Sequence, residues 1–304
     1  MYPVISVNSR CGESLEPLGA KRKFWYRDGR RRMLFKAEER GTGEDWAERI
    51  ACELCALLGL PHVHYELALD VHSQWPGVIC ETCAPPPMAL ALGNQLLLAR
   101  DPHYPADDAR KYKVREHTVD AVAAVLQTLR PPPVQWLSAA PSGIVSAIDV
   151  FVGCAMLDAW IANQDRHHQN WGAIRIEDAL YLAPTFDHGA SMARNLSDDE
   201  RSERMTTRDS NRKMPAFVRR ARSGFYATAA DAKSMTTLQA YLAFSHRAST
   251  AATIWLERLE RIDGAAVDQL LEQVPPQRMS NICRSFTKEL LIENRERLLA
   301  GESV

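Results

Sequence analysis

Residues 163–171 read Asn-Gln-Asp-Arg-His-His-Gln-Asn-Trp, a loop dense in acid, imidazole and amide groups. An apolar, helix-like run leads into this loop, and a short apolar strand over 171–176 leads out of it. A second strand over 180–186 ends at Asp187-His188-Gly189. A polar loop held between apolar elements carries function more often than an ordinary surface connection does. This stretch is therefore the first candidate for a functional site.

Three residues in the stretch, Asp165, Asn170 and Asp187, have a spacing that suits phosphoryl transfer. That reaction needs one carboxylate to accept the proton of the attacking hydroxyl, and further oxygens to hold magnesium on the phosphates. Asp-x4-Asn followed by Asp-x-Gly after two short strands is the arrangement found in protein kinases. The usual His-Arg pair is absent, since Asn163 and Gln164 precede the aspartate. Asp165 alone would indicate only a turn, but the three residues together favour catalysis.

Composition places the chain among ordinary globular proteins. It has 304 residues, 46% apolar and 25% charged, with a net charge of −1. We therefore expect no field that attracts nucleic acid, and the absence of long apolar runs predicts no membrane span. No charged-then-apolar leader is visible, so we expect a cytoplasmic protein with seven reduced cysteines.

Two Cys-x-x-Cys pairs, at 52/55 and 80/83, raise the alternative of a four-thiolate zinc site. The first pair falls inside a helical pattern, and Cys80 ends a short apolar strand. Because free cysteine is a common small buried residue, we favour burial over zinc at these positions.

The first 83 residues predict a small β-rich lobe with one helix. Strand-like runs flank the turn Asp28-Gly29, a good hairpin signal. A polar, basic loop containing Gly19 and Lys21 precedes the hairpin, and its backbone N–H groups and ammonium groups could fold over phosphates. That signal is weak by itself, because glycine and lysine are common in loops.

Lys36 ends the second strand of this hairpin, and an amphipathic helix with Glu48 one turn in follows it. A lone lysine there would be a solvated strand end. A strand lysine followed by a helix glutamate repeats the kinase pairing that grips the nucleotide phosphates. Glu53 is the competing candidate on the same helix.

The apolar strand that ends at Cys80 runs through Glu81 into Pro85-Pro86-Pro87, which predicts a lobe boundary near residues 83 and 84. From Met88 onward the pattern turns helical, so residues 84–304 predict a larger helical lobe. The segment from His188 to Tyr226 is rich in arginine. It fits either a mobile surface loop or a substrate-binding segment after Asp187.

The chain resembles the HipA-like serine/threonine kinases, a bacterial group distantly similar to phosphatidylinositol 3- and 4-kinases. Asp165-Arg166-His167-His168-Gln169-Asn170 looks like the family's Asp-x-His-x-x-Asn loop, and residues 183–187 are similar to its metal-binding segment. Residues 34–36 look like its nucleotide-lysine segment, and residues 19–23 look like the end of its phosphate loop. Glu48 and Glu81 also fall where the family has them.

The resemblance implies an α+β, two-lobed kinase fold that uses ATP and Mg²⁺. It implies Asp165 as base, and Asn170 and Asp187 as metal ligands. Lys36, Glu48, Glu81, Gly19 and Lys21 would form the ATP site. These roles follow from the resemblance. His167 could orient the loop by hydrogen bonding or carry a proton near physiological pH; we favour the orienting role, because Asp165 already supplies the base.

The resemblance also implies regulation and partners. Family members can be switched off by autophosphorylation of a phosphate-loop serine, for which Ser14 and Ser9 are the candidates here. Several relatives are toxins that act on translation components, and an antitoxin holds some of them. We therefore expect a protein substrate and a separate antitoxin or regulatory partner. The extra N-terminal subdomain of full-length members is not expected.

Three other functions stay open from the sequence. A metallohydrolase could use Asp165, His167 and Asp187 together with His168 and His188. A non-catalytic nucleotide-binding regulator would keep the fold without the transfer. A lipid kinase would act on a headgroup, although no basic amphipathic helix supports membrane work.

Overall fold

The structure is a computed structural model that describes residues 1–15, 22–38, 41–107 and 112–301. Its strands are β1 (Val4–Val7), β2 (Ser14–Leu15), β3 (Lys23–Asp28), β4 (Arg31–Ala37), β5 (Tyr65–Asp70), β6 (Trp75–Glu81), β7 (Ala89–Leu92), β8 (Gly172–Ile176) and β9 (Ala179–Leu182). Its α-helices are α1 (Glu44–Leu58), α2 (Gly93–Arg100), α3 (Val119–Leu126), α4 (Val134–Leu137), α5 (Ala147–Trp160), α6 (Asp198–Thr206), α7 (Met214–Val218), α8 (Thr237–Ser245), α9 (Ser249–Glu260), α10 (Gly264–Glu272) and α11 (Asn281–Leu299).

The N-terminal part is a six-stranded sheet in the order β1-β5-β6-β4-β3-β2, with α1 on one face. All pairs are antiparallel except β1 with β5. The hairpin predicted at Asp28-Gly29 is confirmed: Asp28 pairs with Arg31, and Gly29 has φ 60°, a conformation that glycine adopts without strain. Side chains alternate between the two faces of a strand, so Phe35 packs on one face and Lys36 projects toward α1.

Helix α1 joins this sheet to the helical part of the chain. Its apolar face, with Ile50, Leu54 and Leu58, belongs to the main core that the C-terminal helices form. On the opposite face of α1, Cys52 packs against β5 and β6. Since α1 is buried on both faces, it fixes the position of any side chain that it carries toward the sheet.

The C-terminal part is mostly helical, and α5 lies at its centre. Residues 150–160 of α5 are all buried, which explains why the helix is apolar all round. A capping box between Ser146 and Asp149 starts the helix. The end of α5 is held by α11, because Trp160 Nε1 donates to the carbonyl oxygen of Leu291 and Asn294 Nδ2 donates to the carbonyl oxygen of Trp160, each at 3.0 Å.

The expectation of helix from Met88 onward is wrong at its start. Residues 89–92 form β7, which pairs antiparallel with β8 in a second sheet, β7-β8-β9. The segment Ala-Leu-Ala-Leu has high helix propensity, and its pairing with a strand some 80 residues later determines the strand conformation. The α+β class is confirmed, with a β-rich N-terminal part and a mostly helical C-terminal part. The boundary near residues 83 and 84 stays a prediction.

The arginine-rich segment that follows Asp187 is folded. It contains α6 and α7, and both helices pack on α11. In the part of the chain that the structure describes, no helix has the length and apolar character that crossing a membrane requires.

Candidate active site

Lys36 lies between two carboxylates from distant parts of the chain. Its Nζ is 2.8 Å from Glu48 Oε1 and 2.6 Å from Asp187 Oδ1. Lys36 comes from β4, Glu48 from α1 and Asp187 from the loop after β9. The side chains of Lys36 and Glu48 are 10% and 2% exposed, whereas that of Asp187 is 33% exposed. The predicted pairing of Lys36 with Glu48 is therefore present, and Asp187 forms the open side of the cluster.

The electrostatics of this cluster keep Lys36 charged. Burial alone would lower the pKa of Lys36, but the Asp187 and Glu48 carboxylates raise it above its ordinary value. One ammonium group between two carboxylates leaves a formal charge of −1. The cluster therefore retains capacity to bind a further cation.

Asp187 is positioned by strained backbone and by long-range contacts. Its φ is 60°, an uncommon value for a residue other than glycine, and such conformations cluster at functional sites. The backbone N–H of Asp187 donates to the hydroxyl of Tyr65 at 3.4 Å, and that of His188 donates to Glu48 Oε2 at 2.6 Å. Glu48 thus binds Lys36 with one oxygen and the Asp187 loop with the other.

The loop that carries Asp165 begins where α5 ends. Ala162 adopts φ 51°, and the N–H of Asn163 donates back to the carbonyl oxygen of Asp158 at 2.9 Å, the type of ending that turns a chain sharply out of a helix. Asn163 then uses its side chain twice: Nδ2 donates to Asp158 Oδ1 and Oδ1 accepts from the Asp165 N–H. These contacts place Asp165 one short turn beyond the helix.

Arg166 and Asp158 form a second buried ion pair beneath the loop. Arg166 Nε and Nη2 bind the two oxygens of Asp158 at 2.7 and 2.8 Å, and Nη1 donates to the carbonyl oxygen of Asn170 at 2.9 Å. Sequence analysis treated Arg166 as a variable position in the motif. The available signal was an acid in the last turn of α5, eight residues before the arginine.

Asp165 and Asn170 face each other across the loop. Asn170 Nδ2 donates to the backbone oxygen of Asp165 at 2.7 Å and lies 3.3 Å from Asp165 Oδ2. The orientation of its amide directs the nitrogen at Asp165 and leaves the Asn170 amide oxygen as a potential metal ligand.

His167 supports this pair in the predicted orienting position. Its Nδ1 accepts from the Gln169 N–H at 3.1 Å, so Nε2 carries the proton, and Nε2 lies 3.6 Å from Asp165 Oδ1. That distance is too long for a hydrogen bond but close enough for a favourable electrostatic contact with the carboxylate. Tyr112 packs edge-on to His167 and hydrogen-bonds Asp165; burial, together with Asp165, raises the pKa of Tyr112 to about 12.

Buried histidines form the layer below the loop. The His168 Nδ1 is 2.9 Å from the Tyr104 hydroxyl, and the His188 Nε2 is 2.8 Å from Thr185 Oγ1. His117 accepts from Trp171 Nε1 with Nε2 and, through its protonated Nδ1, donates to the carbonyl oxygen of Gly224. Burial lowers the pKa of His117 to about 3, so it stays neutral. These residues hydrogen-bond beneath the loop and hold it in position.

The remaining predicted residues have varied locations. Glu81 ends β6 and is exposed. Ser14 is exposed on β2, whereas Ser9 is half-buried and its backbone N–H donates to Asp70 Oδ1 at 2.9 Å. Gly19 and Lys21 lie outside the described residues.

Arg194 and Glu38 make contacts beside the Lys36 cluster that sequence analysis did not identify. Arg194 Nε donates to the carbonyl oxygen of Gly189 at 3.0 Å, and its other nitrogens bind Thr42 and Glu44, so it ties the segment after Asp187 to the start of α1. Glu38 accepts from the N–H groups of Thr42 and Glu44, at 3.2 and 2.5 Å, and caps α1 from outside. The Glu38 contacts are local, whereas the Arg194 contacts with Thr42 and Glu44 join segments that only the tertiary fold brings together.

The histidine-rich motif does not form a transition-metal centre. Among the described residues, one group of three His, Cys, Asp or Glu side chains brings ligand atoms within metal-binding distance, and it lies behind α1, away from Asp165 and His167. The four-thiolate alternative is also not formed, since Cys55 packs in the main core and Cys52 in the cluster beside β5 and β6. The oxygen donors Asp187 and Asn170 instead suit Mg²⁺, and Lys36 suits nucleotide phosphates.

Comparisons with known proteins find chains of similar fold among solved structures. No known protein-family profile matches the chain, and no curated protein matches its sequence. Among solved structures, the chain is similar to the Helicobacter pylori proinflammatory kinase CtkA, with a TM-score of 0.70 and 16% identity over 98% of this chain and 96% of the other. The chain has the HipA-like kinase fold. It is also similar to Shewanella oneidensis MR-1 HipA, solved with HipB and operator DNA, with a TM-score of 0.57 and 12% identity over 95% of this chain and 68% of HipA.

Proposed function

We propose that this chain is an ATP- and Mg²⁺-dependent serine/threonine protein kinase of the HipA-like type. The observation that carries the proposal is the position of Lys36. Its Nζ lies 2.8 Å from Glu48 and 2.6 Å from Asp187, and the three residues come from three separate elements. The metallohydrolase alternative, built on the aspartates and histidines, leaves this buried lysine unexplained. A kinase needs it to bind the nucleotide phosphates beside the metal ligand.

The residues have distinct roles in this proposal. Asp165 accepts the proton of the attacking hydroxyl, and His167 orients its carboxylate. Lys36 binds the nucleotide phosphates, while Glu48 holds the lysine in place. Asp187 and the amide oxygen of Asn170 hold magnesium, which neutralises charge on the phosphates when it is bound.

Several finer elements extend the proposal. We propose that Glu81 lies beside the adenine and that Gly19 and Lys21 cover the phosphates. Ser14 is the favoured site of inhibitory autophosphorylation, because it is exposed on the strand that leads into residues 16–21, whereas Ser9 is held beside Asp70. The proposed substrate is a cytoplasmic protein of the translation machinery.

A separate antitoxin is the proposed partner. The fold similarity to HipA, which was solved with HipB, supports a partner of that kind. Neither nucleic acid nor a membrane is part of the proposal.

The test is incubation of the purified protein with γ-labelled ATP and Mg²⁺, followed by mapping of labelled residues by mass spectrometry. Asp165→Asn is the test variant, and Asp178→Asn, an exposed carboxylate in the nearby β8–β9 turn, is the matched control. We expect label in the wild type and in Asp178→Asn and none in Asp165→Asn. Absence of both label and any thermal shift by Mg-ATP in the wild type would overturn the proposal.

A further inference from the structure

Cys52, His62 and His64 form a cluster on the far side of α1 from the main core. Cys52 lies on α1, and the two histidines lie on the segment between α1 and β5. Their ligand atoms all lie within 4.8 Å of one another, and Cys52 Sγ is 3.5 Å from His64 Nδ1. The active site uses none of these three side chains.

The separation of sulfur and nitrogen matches that of two ligands on one metal ion. Zinc binds cysteine sulfur at about 2.3 Å and histidine nitrogen at about 2.0–2.1 Å in tetrahedral geometry. Two such ligands around one tetrahedral ion lie about 3.6 Å apart, which follows directly from those bond lengths. The observed 3.5 Å is close to this value.

The hydrogen bonds of the two histidines leave one nitrogen of each ring available. His62 Nδ1 is 2.7 Å from the carbonyl oxygen of Leu60, so it carries the proton and Nε2 is the free lone pair. His64 Nε2 is 2.7 Å from Glu66 Oε1, so its Nδ1 carries the lone pair that faces Cys52 and accepts from the thiol when no metal is bound. A histidine whose second nitrogen donates to a carboxylate or a carbonyl is the usual form of a metal ligand.

The surrounding charges also suit a divalent cation. Glu53 and Glu66 lie beside Arg49, which is 2.6 Å from Glu53 and 3.9 Å from Glu66. With Cys52 as a thiolate, three negative charges face one positive charge, for a net charge of −2. Without a metal, burial raises the pKa of Cys52 to about 11 and keeps the thiol protonated.

We propose that Cys52 Sγ, His62 Nε2 and His64 Nδ1 bind one Zn²⁺ ion. The exposed side of His64 admits water as the fourth ligand. Binding forms the zinc–sulfur bond and releases the thiol proton to solvent, with no change of oxidation state.

The site connects two parts of the proposed active site. Cys52 lies one turn after Glu48 on α1, while His62 forms a bridge with Thr185, two residues before Asp187. A zinc ion would therefore bind α1 to the segment that supports Asp187. Zinc binding itself does not depend on the proposed kinase function.

The test is a cobalt and zinc titration of the full-length protein after removal of metals with a chelator. Co²⁺ bound to a thiolate has a charge-transfer absorption band that oxygen ligands do not give, so magnesium-type sites do not interfere. Zinc affinity is then measured by competition with a chromogenic chelator. The variants are Cys52→Ser and His64→Gln; His64 is exposed, so its loss is compatible with folding.

Matched controls come from the same region. Cys83→Ser changes a thiol that packs near the same small apolar cluster, and His72→Gln changes an exposed histidine on the β5–β6 turn. We expect one zinc ion per chain and the cobalt–thiolate band in the wild type and both controls. We expect the band to be lost in Cys52→Ser, and zinc affinity to fall by at least about tenfold in His64→Gln. Absence of the band from the wild type, or its persistence in Cys52→Ser, would overturn the proposal.

Discussion

Two of the buried ion clusters among the described residues lie near Asp165 and Asp187, and they differ in charge and in origin. Arg166 and Asp158 are neutral as a pair, are 2% and 5% exposed, and come from one stretch of sequence. Lys36, Glu48 and Asp187 carry a net charge of −1, come from three elements, and are open on the side of Asp187. All five side chains make short, charge-assisted contacts, so contact geometry alone does not separate structure from function.

The difference lies in net charge. In the first cluster, Arg166 binds Asp158 and the backbone oxygen of Asn170, which fixes the loop. In the second cluster, one ammonium group faces two carboxylates, and the excess negative charge on the open side of Asp187 suits a magnesium ion. We therefore expect changes in the first cluster to affect stability and changes in the second to affect catalysis.

The largest expected effect is on the phosphotransfer rate, through Asp165 in the loop that Arg166 and Asp158 support. Asp165→Asn removes the proposed base and should lower the phosphotransfer rate by about 10²–10⁴-fold. Because the base acts in the chemical step, ATP affinity should stay unchanged. Single-turnover kinetics beside calorimetric ATP binding measures both quantities. A wild-type rate in this variant would show that another group is the base.

Asp158→Asn should break the neutral cluster and cost stability. It leaves the buried Arg166 guanidinium without its counter-ion, which typically costs about 3–5 kcal/mol. Urea unfolding followed by circular dichroism measures the loss, with Asp178→Asn as the exposed control. A change within about 0.5 kcal/mol, as is usual at exposed positions, would contradict the structural role of the pair.

Asp187→Asn should lower the phosphotransfer rate and leave folding stability nearly unchanged, the opposite of what we expect for Asp158→Asn. Lys36 keeps Glu48 as its partner, so we expect little loss of folding stability. The phosphotransfer rate should fall by about 10²–10³-fold, since one electrostatic ligand of the transferring group is weakened. Comparing its urea midpoint with that of Asp158→Asn distinguishes the two clusters; equal destabilisation of both variants would remove the distinction.

The pH dependence of folding stability tests the buried histidines under the loop, among them His117, whose pKa is lowered. The pKa of His117 is lowered to about 3 in the folded chain, while an unfolded histidine titrates near 6.5. The unfolded state therefore binds more protons as pH falls below about 6.5, and His117 should cost about 2 kcal/mol of stability between pH 7 and pH 5. Urea unfolding across this range should show a smaller pH dependence in His117→Gln than in the wild type. An unchanged slope would mean that His117 does not stay neutral.

The smallest expected effect concerns Tyr112. Its hydroxyl hydrogen-bonds the Asp165 carboxylate, where an attacking hydroxyl would bind. Tyr112→Phe removes that competitor, and a single exposed hydrogen bond is worth about 0.5–1 kcal/mol, or roughly two- to fivefold in kcat/KM. Steady-state kinetics should show an increase; a loss larger than tenfold would instead make Tyr112 part of the catalytic machinery.

The sequence was most informative where the contacts are local. Asp165 and Asn170 are five residues apart, and the match of their spacing to the kinase pattern marked them as one site; in the structure they bind each other. Lys36 and Glu48 were predicted to pair because a strand lysine followed by a helix glutamate repeats the kinase pattern, and they do pair. The apolar run before the loop was predicted to be helical, and it forms α5.

The sequence was least informative where distant segments meet. β7 was missed because its partner β8 lies far along the chain, and the Arg194 contacts with Thr42 and Glu44 span about 150 residues. The Cys52, His62 and His64 cluster was missed for a related reason: the chain that follows α1 returns beside the helix, and cysteine spacing alone does not show which histidines lie near Cys52. No local pattern encodes such approaches, since tertiary packing determines them.

The most direct test of this account is calorimetric titration of ATP into the wild type and Asp187→Asn, with and without Mg²⁺. The account predicts that Mg²⁺ strengthens ATP binding by the wild type at least about tenfold, equivalent to 1.4 kcal/mol. It predicts that Asp187→Asn loses this enhancement while remaining folded. An equal enhancement in both proteins, or no ATP binding by the wild type, would contradict the assignment of the Lys36, Glu48 and Asp187 cluster.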